Sequence, residues 1–246
     1  MSKNNYELYS GAMFEQWSTC DKLHFSEKYL LKKYLTDTSK NVLEAGTGGG
    51  RLSFFVERIG FKNITAYDFV PKMIHYAKSV AKEKKSTINF MDGDATNLSA
   101  YKDESYYYLI YLQQVLCFVE KQELFLKSFK EAHRVCKTNG IVIFSFLDYD
   151  ARSYNSILSF ILGILRKFRK EKISKNCLPY LKIKDKLNFQ FFNKNQPCSQ
   201  WVKKEKIIDI IAKSGFDILE IKNENEFNKE LTGSKIGLYV VCQKNS

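Results

Sequence analysis

At 246 residues, 44% of them hydrophobic, the chain suits one domain, or one domain with an insertion, and is long enough for a full core. No apolar run reaches the roughly eighteen residues of a membrane-spanning helix, and the opening MSKNNYELYSG has no apolar signal core, so a soluble cytoplasmic protein is expected. A net charge of +12 invites a nucleic-acid reading, yet the lysines are spread among many Asn, Ile, Tyr and Phe; the six cysteines lack ligand spacing and read as reduced core residues, with no metal site.

Residues 1–40 read as one or two helices ahead of the first strand. Phe25 to Leu35 places Phe25, Tyr29, Leu30 and Tyr34 near one face, and the stretch before it is rich in aromatics at Tyr6, Tyr9, Phe14 and Trp17. From Val42, VLEAGTGGGRLS reads as strand, tight turn and helix: an apolar pair, Glu44, Ala45, a glycine loop, then Leu52, Phe55, Val56 and Ile59 at helical spacing. Glycines at 46, 48 and 50 let a ligand approach the main chain, and the helix start aims unpaired N–H groups at it. A dinucleotide fingerprint counted from Gly46 needs glycine at 51, where Arg51 stands.

The E-x-G-x-G-x-G loop instead resembles the first motif of the class I S-adenosylmethionine-dependent methyltransferases. Gly60 caps the loop helix, and Asn63 to Asp68 follows as a second strand. Its terminal acid, Asp68, lies about twenty residues beyond the glycines, where a carboxylate can accept hydrogen bonds from both ribose hydroxyls of a nucleoside. Pro71 opens a helix whose apolar side is Met73, Ile74, Ala77 and Val80. Thr87 to Met91 then runs into DGDATNL, and the family's G-D-A acid, which bonds the adenine amino group, matches Asp94. The resemblance implies that S-adenosylmethionine binds and leaves as S-adenosylhomocysteine. It assigns the cofactor to Glu44, Ala45, Gly46, Thr47, Gly48, Gly50, Asp68, Phe69, Met73, Asp94, Ala95 and Gln113, with Phe69 and Met73 placed to flank the adenine and helix core weighed equally for Met73.

Tyr107 onward, YYLIYLQQVLCFV, reads as a buried strand and a turn into helix; it is similar to the family's F-D-L-I stretch, except that Tyr108 replaces the aspartate. Gln113 and Gln114 fall at the strand's carboxyl end, where open α/β sheets bind ligands. Lys121 to Lys137 is an amphipathic helix in which His133 reads as structural, Asn139-Gly140 is a turn, and IVIFSFL is the fifth strand. Residues 149–200 depart from a minimal domain: DYDARSYN, an apolar helix from Ile157 to Leu165, the basic patch RKFRKEK (Arg166 to Lys172), and an aromatic segment, LNFQFFN. The helix Lys203 to Ser214, capped at Gly215, and strands near Ile218 to Ile221 and Leu238 to Gln243 close the chain.

The predicted fold is α/β, a Rossmann-like doubly wound sheet of about seven strands, mostly parallel with an antiparallel last strand and helices on both faces. Its divisions are a helical lid segment at 1–40, a cofactor-binding core at 41–148, an insertion over the substrate site at 149–200, and a completing unit at 201–246. The acceptor is expected to be a small molecule with a hydroxyl or amine, such as a sugar or natural product, held by Tyr9, Trp17 and Tyr149. Asp148 is the candidate base, with Tyr149 and Asp150 behind it; a turn or cap role for Asp148 is weighed equally. The basic patch reads first as solvated surface, then as attraction for an anionic acceptor, and last as a nucleic-acid contact; the apolar helix before it packs on the domain or rests peripherally on a membrane. Alternatives are a nucleic-acid methyltransferase, which lacks an N-P-P-Y-type tetrapeptide here, a cofactor-binding protein without turnover, and a dehydrogenase, for which Tyr180 and Lys184 only imitate the Y-x-x-x-K pair.

Overall fold

Three short helices lead the chain: α1 (Lys3–Ser10), α2 (Phe14–Ser18) and α3 (Phe25–Tyr34). Strands and helices then alternate as β1 (Val42–Ala45), α4 (Arg51–Arg58), β2 (Ile64–Asp68), α5 (Pro71–Lys84), β3 (Asn89–Asp92), β4 (Tyr106–Tyr111), α6 (Gln122–Val135) and β5 (Cys136–Asp148). The computed structural model describes residues 3–151, 199–227 and 236–245, with residue 164 and the pairs 182–183 and 186–187 between them. Those pairs form β6 (Lys182–Ile183) and β7 (Lys186–Leu187); β8 (Trp201–Val202), α7 (Lys204–Lys213), β9 (Phe216–Asn223), α8 (Glu224–Phe227) and β10 (Gly237–Lys244) complete the order.

Parallel neighbours need long crossovers, and the helices supply them. The main sheet has eight strands in the order β3-β2-β1-β4-β5-β10-β9, with β8 added beside β5. Strands β1 to β5 pair in parallel, and β10 runs antiparallel to both β5 and β9, as the sequence pattern predicts apart from the two-residue β8. The chain moves outward from β1 to β3 and returns to β4 on the other side of β1. That reversal opens a crevice beyond the carboxyl ends of β1 and β4, where doubly wound sheets bind ligands.

Pleating sends alternate residues to opposite faces, so each inner strand needs apolar side chains at nearly every position. On β5, Val142, Phe144 and Phe146 pack with Phe125, Phe129, Ile207 and Ile211 of α6 and α7. Ile141 and Ile143 face the opposite side, where Leu30, Leu31, Leu52, Phe55, Ile74 and Ala77 of α3, α4 and α5 cover the sheet. The Asn139-Gly140 turn is instead absorbed into β5: Asn139 takes φ 61° inside the strand, and the β4 register shifts between Tyr106 and Tyr108. The closing strands also run longer than their apolar centres predict, because β9 and β10 pair along most of their length. Cys117, Cys136 and Cys242 are buried thiols and Cys20 is half-buried. No helix among the described residues is long and apolar enough to cross a membrane.

Candidate active site

The glycine loop turns the chain from β1 into α4 with backbone angles that require glycine. Gly46 has φ +65°, and a Cβ on it would lie 2.5 Å from Val115 Cγ2. The Thr47 N–H donates to Tyr67 O at 3.1 Å, tying the loop to the end of β2. Asp68 Oδ2 then accepts the Gly48 N–H at 2.9 Å, and its Oδ1 accepts that of Val70 at 2.9 Å. Burial raises the Asp68 pKa against the pull of these N–H groups. At the end of β3, Asp94 Oδ1 accepts the Thr96 N–H at 2.8 Å.

These strand ends surround a cleft that opens to solvent. Gly46, Gly48, Asp68, Phe69, Met73, Asp94, Ala95 and Gln113 line it, and so do Tyr9 and Trp17 from the N-terminal helices. Tyr67, Val70, Gly93, Val115, Phe118 and Val119 line it as well, although sequence reasoning passed them over. Gly93 sits inside the DGDA stretch already singled out, which was its available signal. Val115 and Phe118 belong to a 3-10 turn after β4 (Val115–Phe118) and carried no local signal.

Four residues assigned to the cofactor lie outside the lining: Glu44, Ala45, Thr47 and Gly50. Glu44 is 1% exposed and supports the loop from behind, accepting from Thr47 Oγ1 at 3.0 Å and from Ser53 Oγ. Burial pushes its carboxyl up to about 7 against the opposing Ser53 and Thr47 hydrogen bonds. Asp148 and Tyr149 are also absent from the lining. The Asp148 carboxylate accepts the Asp150 N–H at 3.0 Å and the Asn223 amide at 3.1 Å, which is the turn role weighed for it. Tyr149 is 40% exposed, and its N–H donates to Val202 O at 2.9 Å. Asp150 is exposed beside it.

A buried ion pair anchors the N-terminal segment beneath the loop. Glu27, the N3 residue of α3, takes two hydrogen bonds from Arg51, at 2.6 and 2.7 Å, the His24 N–H at 2.7 Å, and a short one from Gln113 Nε2. Burial alone would raise the Glu27 pKa, but the Arg51 hydrogen bonds and charge, with those from Gln113 and His24, leave it lowered. Gln113 and Gln114 both adopt left-handed angles, φ 57° and 54°, and the Gln114 N–H donates to Ser145 Oγ at 2.8 Å. Non-glycine residues in that region cost about 1 to 3 kcal/mol each, a strain that recurs at functional sites.

Above the loop, the Gly49 N–H donates to Trp17 O at 3.3 Å, and Lys72 Nζ reaches Ser10 O at 3.2 Å while lying 4.0 Å from the centre of the Phe14 ring. Helices α1 and α2 thus pack against the loop and α5 and bring Tyr9 and Trp17 to the cleft. The two ends of the 149–200 stretch meet where Tyr149 bonds Val202. Gln200 fastens the returning end to the turn after β4, its N–H donating to Cys117 O at 2.7 Å and its side chain to Glu120 O at 3.1 Å. The basic patch at 166–172, the apolar run at 157–165, and the Tyr180 and Lys184 pair lie outside the described residues, apart from the exposed Ile164. Among the described residues no group of three or more His, Cys, Asp or Glu could hold a metal ion.

The model of the methyltransferase domain family matches residues 43–144, the span from β1 to β5 that carries the loop and both acids. No curated protein sequence matches the chain. Among solved structures it is similar to the PH0226 protein of Pyrococcus horikoshii, at 21% identity and TM-score 0.67 over 97% of this chain and 99% of that one. An S-adenosylmethionine-dependent methyltransferase of Methanosarcina mazei follows at 18% identity and TM-score 0.64, covering 88% and 97%. The [4+2]-cyclase SpnF shares the architecture at 14% identity and TM-score 0.63, covering 89% and 80%. At such identities the likeness is one of fold. With a matching domain model, loop and strand order, residues 43–144 are a methyltransferase domain.

Proposed function

We propose that the chain transfers a methyl group from S-adenosylmethionine to a small-molecule acceptor, and that the cleft lined by Gly46, Gly48, Asp68, Asp94 and Gln113 holds the donor. The observation that carries this reading is the spacing of the two acids: Asp68 ends β2 and Asp94 follows β3, both in the lining, with apolar Phe69 and Met73 nearby. Asp68 would accept from the ribose hydroxyls, since its two oxygens retain lone pairs beyond the two N–H groups they now serve. Asp94 would accept from the adenine amino group, Phe69 and Met73 would flank the ring, and Gly46, Gly48 and Gln113 would face the methionine portion. When bound, the cofactor supplies an electrophilic methyl on a sulfonium, an excellent leaving group. The protein's contribution is then approach geometry and exclusion of water, worth up to about 7 to 11 kcal/mol in favourable cases.

The test is release of S-adenosylhomocysteine coupled to transfer of labelled methyl into small-molecule acceptors, which a cofactor-binding protein without turnover does not give. Asp68→Ala and Asp94→Ala are each expected to weaken S-adenosylhomocysteine binding by about 1.5 to 3 kcal/mol through lost charge-assisted hydrogen bonds. Unchanged calorimetric affinity in both variants would remove the nucleoside from this cleft.

A further inference from the structure

One wall of the cleft is aromatic. Tyr9 of α1, Trp17 of α2 and Phe118 of the turn after β4 all line it. The Tyr9 ring stands 5.5 Å from Phe118 at 75° and 6.4 Å from Trp17 at 53°. Asn5 Nδ2 donates to Phe118 O at 3.3 Å, so α1 is fastened to that turn. The wall adjoins the donor loop, because a Cβ on Gly48 would lie 3.1 Å from Trp17 O. Trp17 Nε1 is buried with no protein partner, a donor left for a ligand.

The charges in the described lining are Asp68 and Asp94 alone, both acids, with no Lys, Arg or His. Both carboxylates already accept backbone N–H groups. An alcohol acceptor requires a base for its proton, and the two carboxylates of the described lining are taken up by the backbone and, on the reading above, by the nucleoside. An amine gives up its proton to water before the step and then supplies its own lone pair, and the cation formed when it is methylated is a species that aromatic faces attract.

We propose that the acceptor is an amine, and that Tyr9, Trp17 and Phe118 form a box that holds its nitrogen. The inference rests on the methyltransferase reading of the cleft. The nitrogen lone pair forms the new N–C bond as the C–S bond breaks, and the electron pair of that bond stays on sulfur. The positive charge passes from sulfonium to ammonium; a primary or secondary amine then releases a proton to water, and a tertiary amine remains quaternary. The box faces the charge on both sides of the step.

The test compares two ligands of the same shape, choline and 3,3-dimethylbutan-1-ol, by calorimetry on the full chain saturated with S-adenosylhomocysteine, whose sulfur is neutral. Choline is expected to bind about tenfold or more tightly than its uncharged isostere. Trp17→Leu and Phe118→Leu should erase that preference, whereas Trp17→Phe, which keeps an aromatic face, should retain most of it. Equal binding of the two ligands, no binding of either, or a preference that survives both leucine variants would overturn the proposal. Failure of the unmodified chain to bind S-adenosylhomocysteine would instead strike the underlying reading, so the two failures are separable.

Discussion

Replacing Glu27 by alanine is expected to lower stability by about 3 to 5 kcal/mol, because removing one partner of a buried ion pair leaves the other charge uncompensated. The Arg51 side chain is 7% exposed and that of Glu27 0%, so water cannot take over. Native stabilities are about 5 to 15 kcal/mol, and this one change takes a large share. Replacing both residues by methionine should cost much less than the sum of the single changes, since an apolar pair leaves no stranded charge. The pH dependence has a definite sign. The folded pKa of Glu27 is lowered, so its contribution is present above the ordinary glutamate value of 4.5 and is lost as pH falls through the folded value. Urea titrations at neutral and acid pH should show the parent losing stability on acidification and the double variant losing less. A Glu27→Ala chain as stable as its parent would mean that the pair does not hold α3 to the loop.

Gly49→Ala should produce the second large effect, and one confined to the N-terminus. A Cβ there would sit 1.8 Å from Ser18 O, a backbone atom that only displacement of α2 can move aside. The Gly49 to Trp17 hydrogen bond would break, and Trp17 would leave the cleft wall. The expected result is rapid proteolysis within residues 1–24 and at least a tenfold loss of methyl transfer. The sheet and its two apolar layers keep their contacts, so the melting temperature should stay near the parent value. Protection from protease equal to the parent would contradict the placement of α2 over the loop.

The fold was legible in the sequence because most of its elements advertise themselves locally. Gly46, Asp68 and Asp94 mark three successive strand ends, and the helices between them carry regular apolar spacing. What escaped depends on distant partners. Glu27 meets Arg51 across 24 positions, and Gln113 meets Glu27 across 86, so neither contact leaves a trace in local pattern. Val115 and Phe118 line the cleft just after Gln113 and Gln114 turn left-handed, a conformation that glutamine does not announce. The motif marks Glu44 without showing its partners, Ser53 and Thr47, whose hydroxyls donate to its buried carboxylate. Asn139 looked like a free turn until its neighbours were seen to pair with β4 and β10.

Fold alone does not establish methyl transfer, since a [4+2]-cyclase shares this architecture. The most direct test of the account is therefore a calorimetric titration of the full chain with S-adenosylmethionine, S-adenosylhomocysteine and NAD in turn. The loop spacing, with Arg51 where a dinucleotide site needs glycine, and the acids Asp68 and Asp94 predict one site for each sulfur nucleoside and no heat from NAD. Saturable NAD binding without binding of either sulfur nucleoside would contradict it.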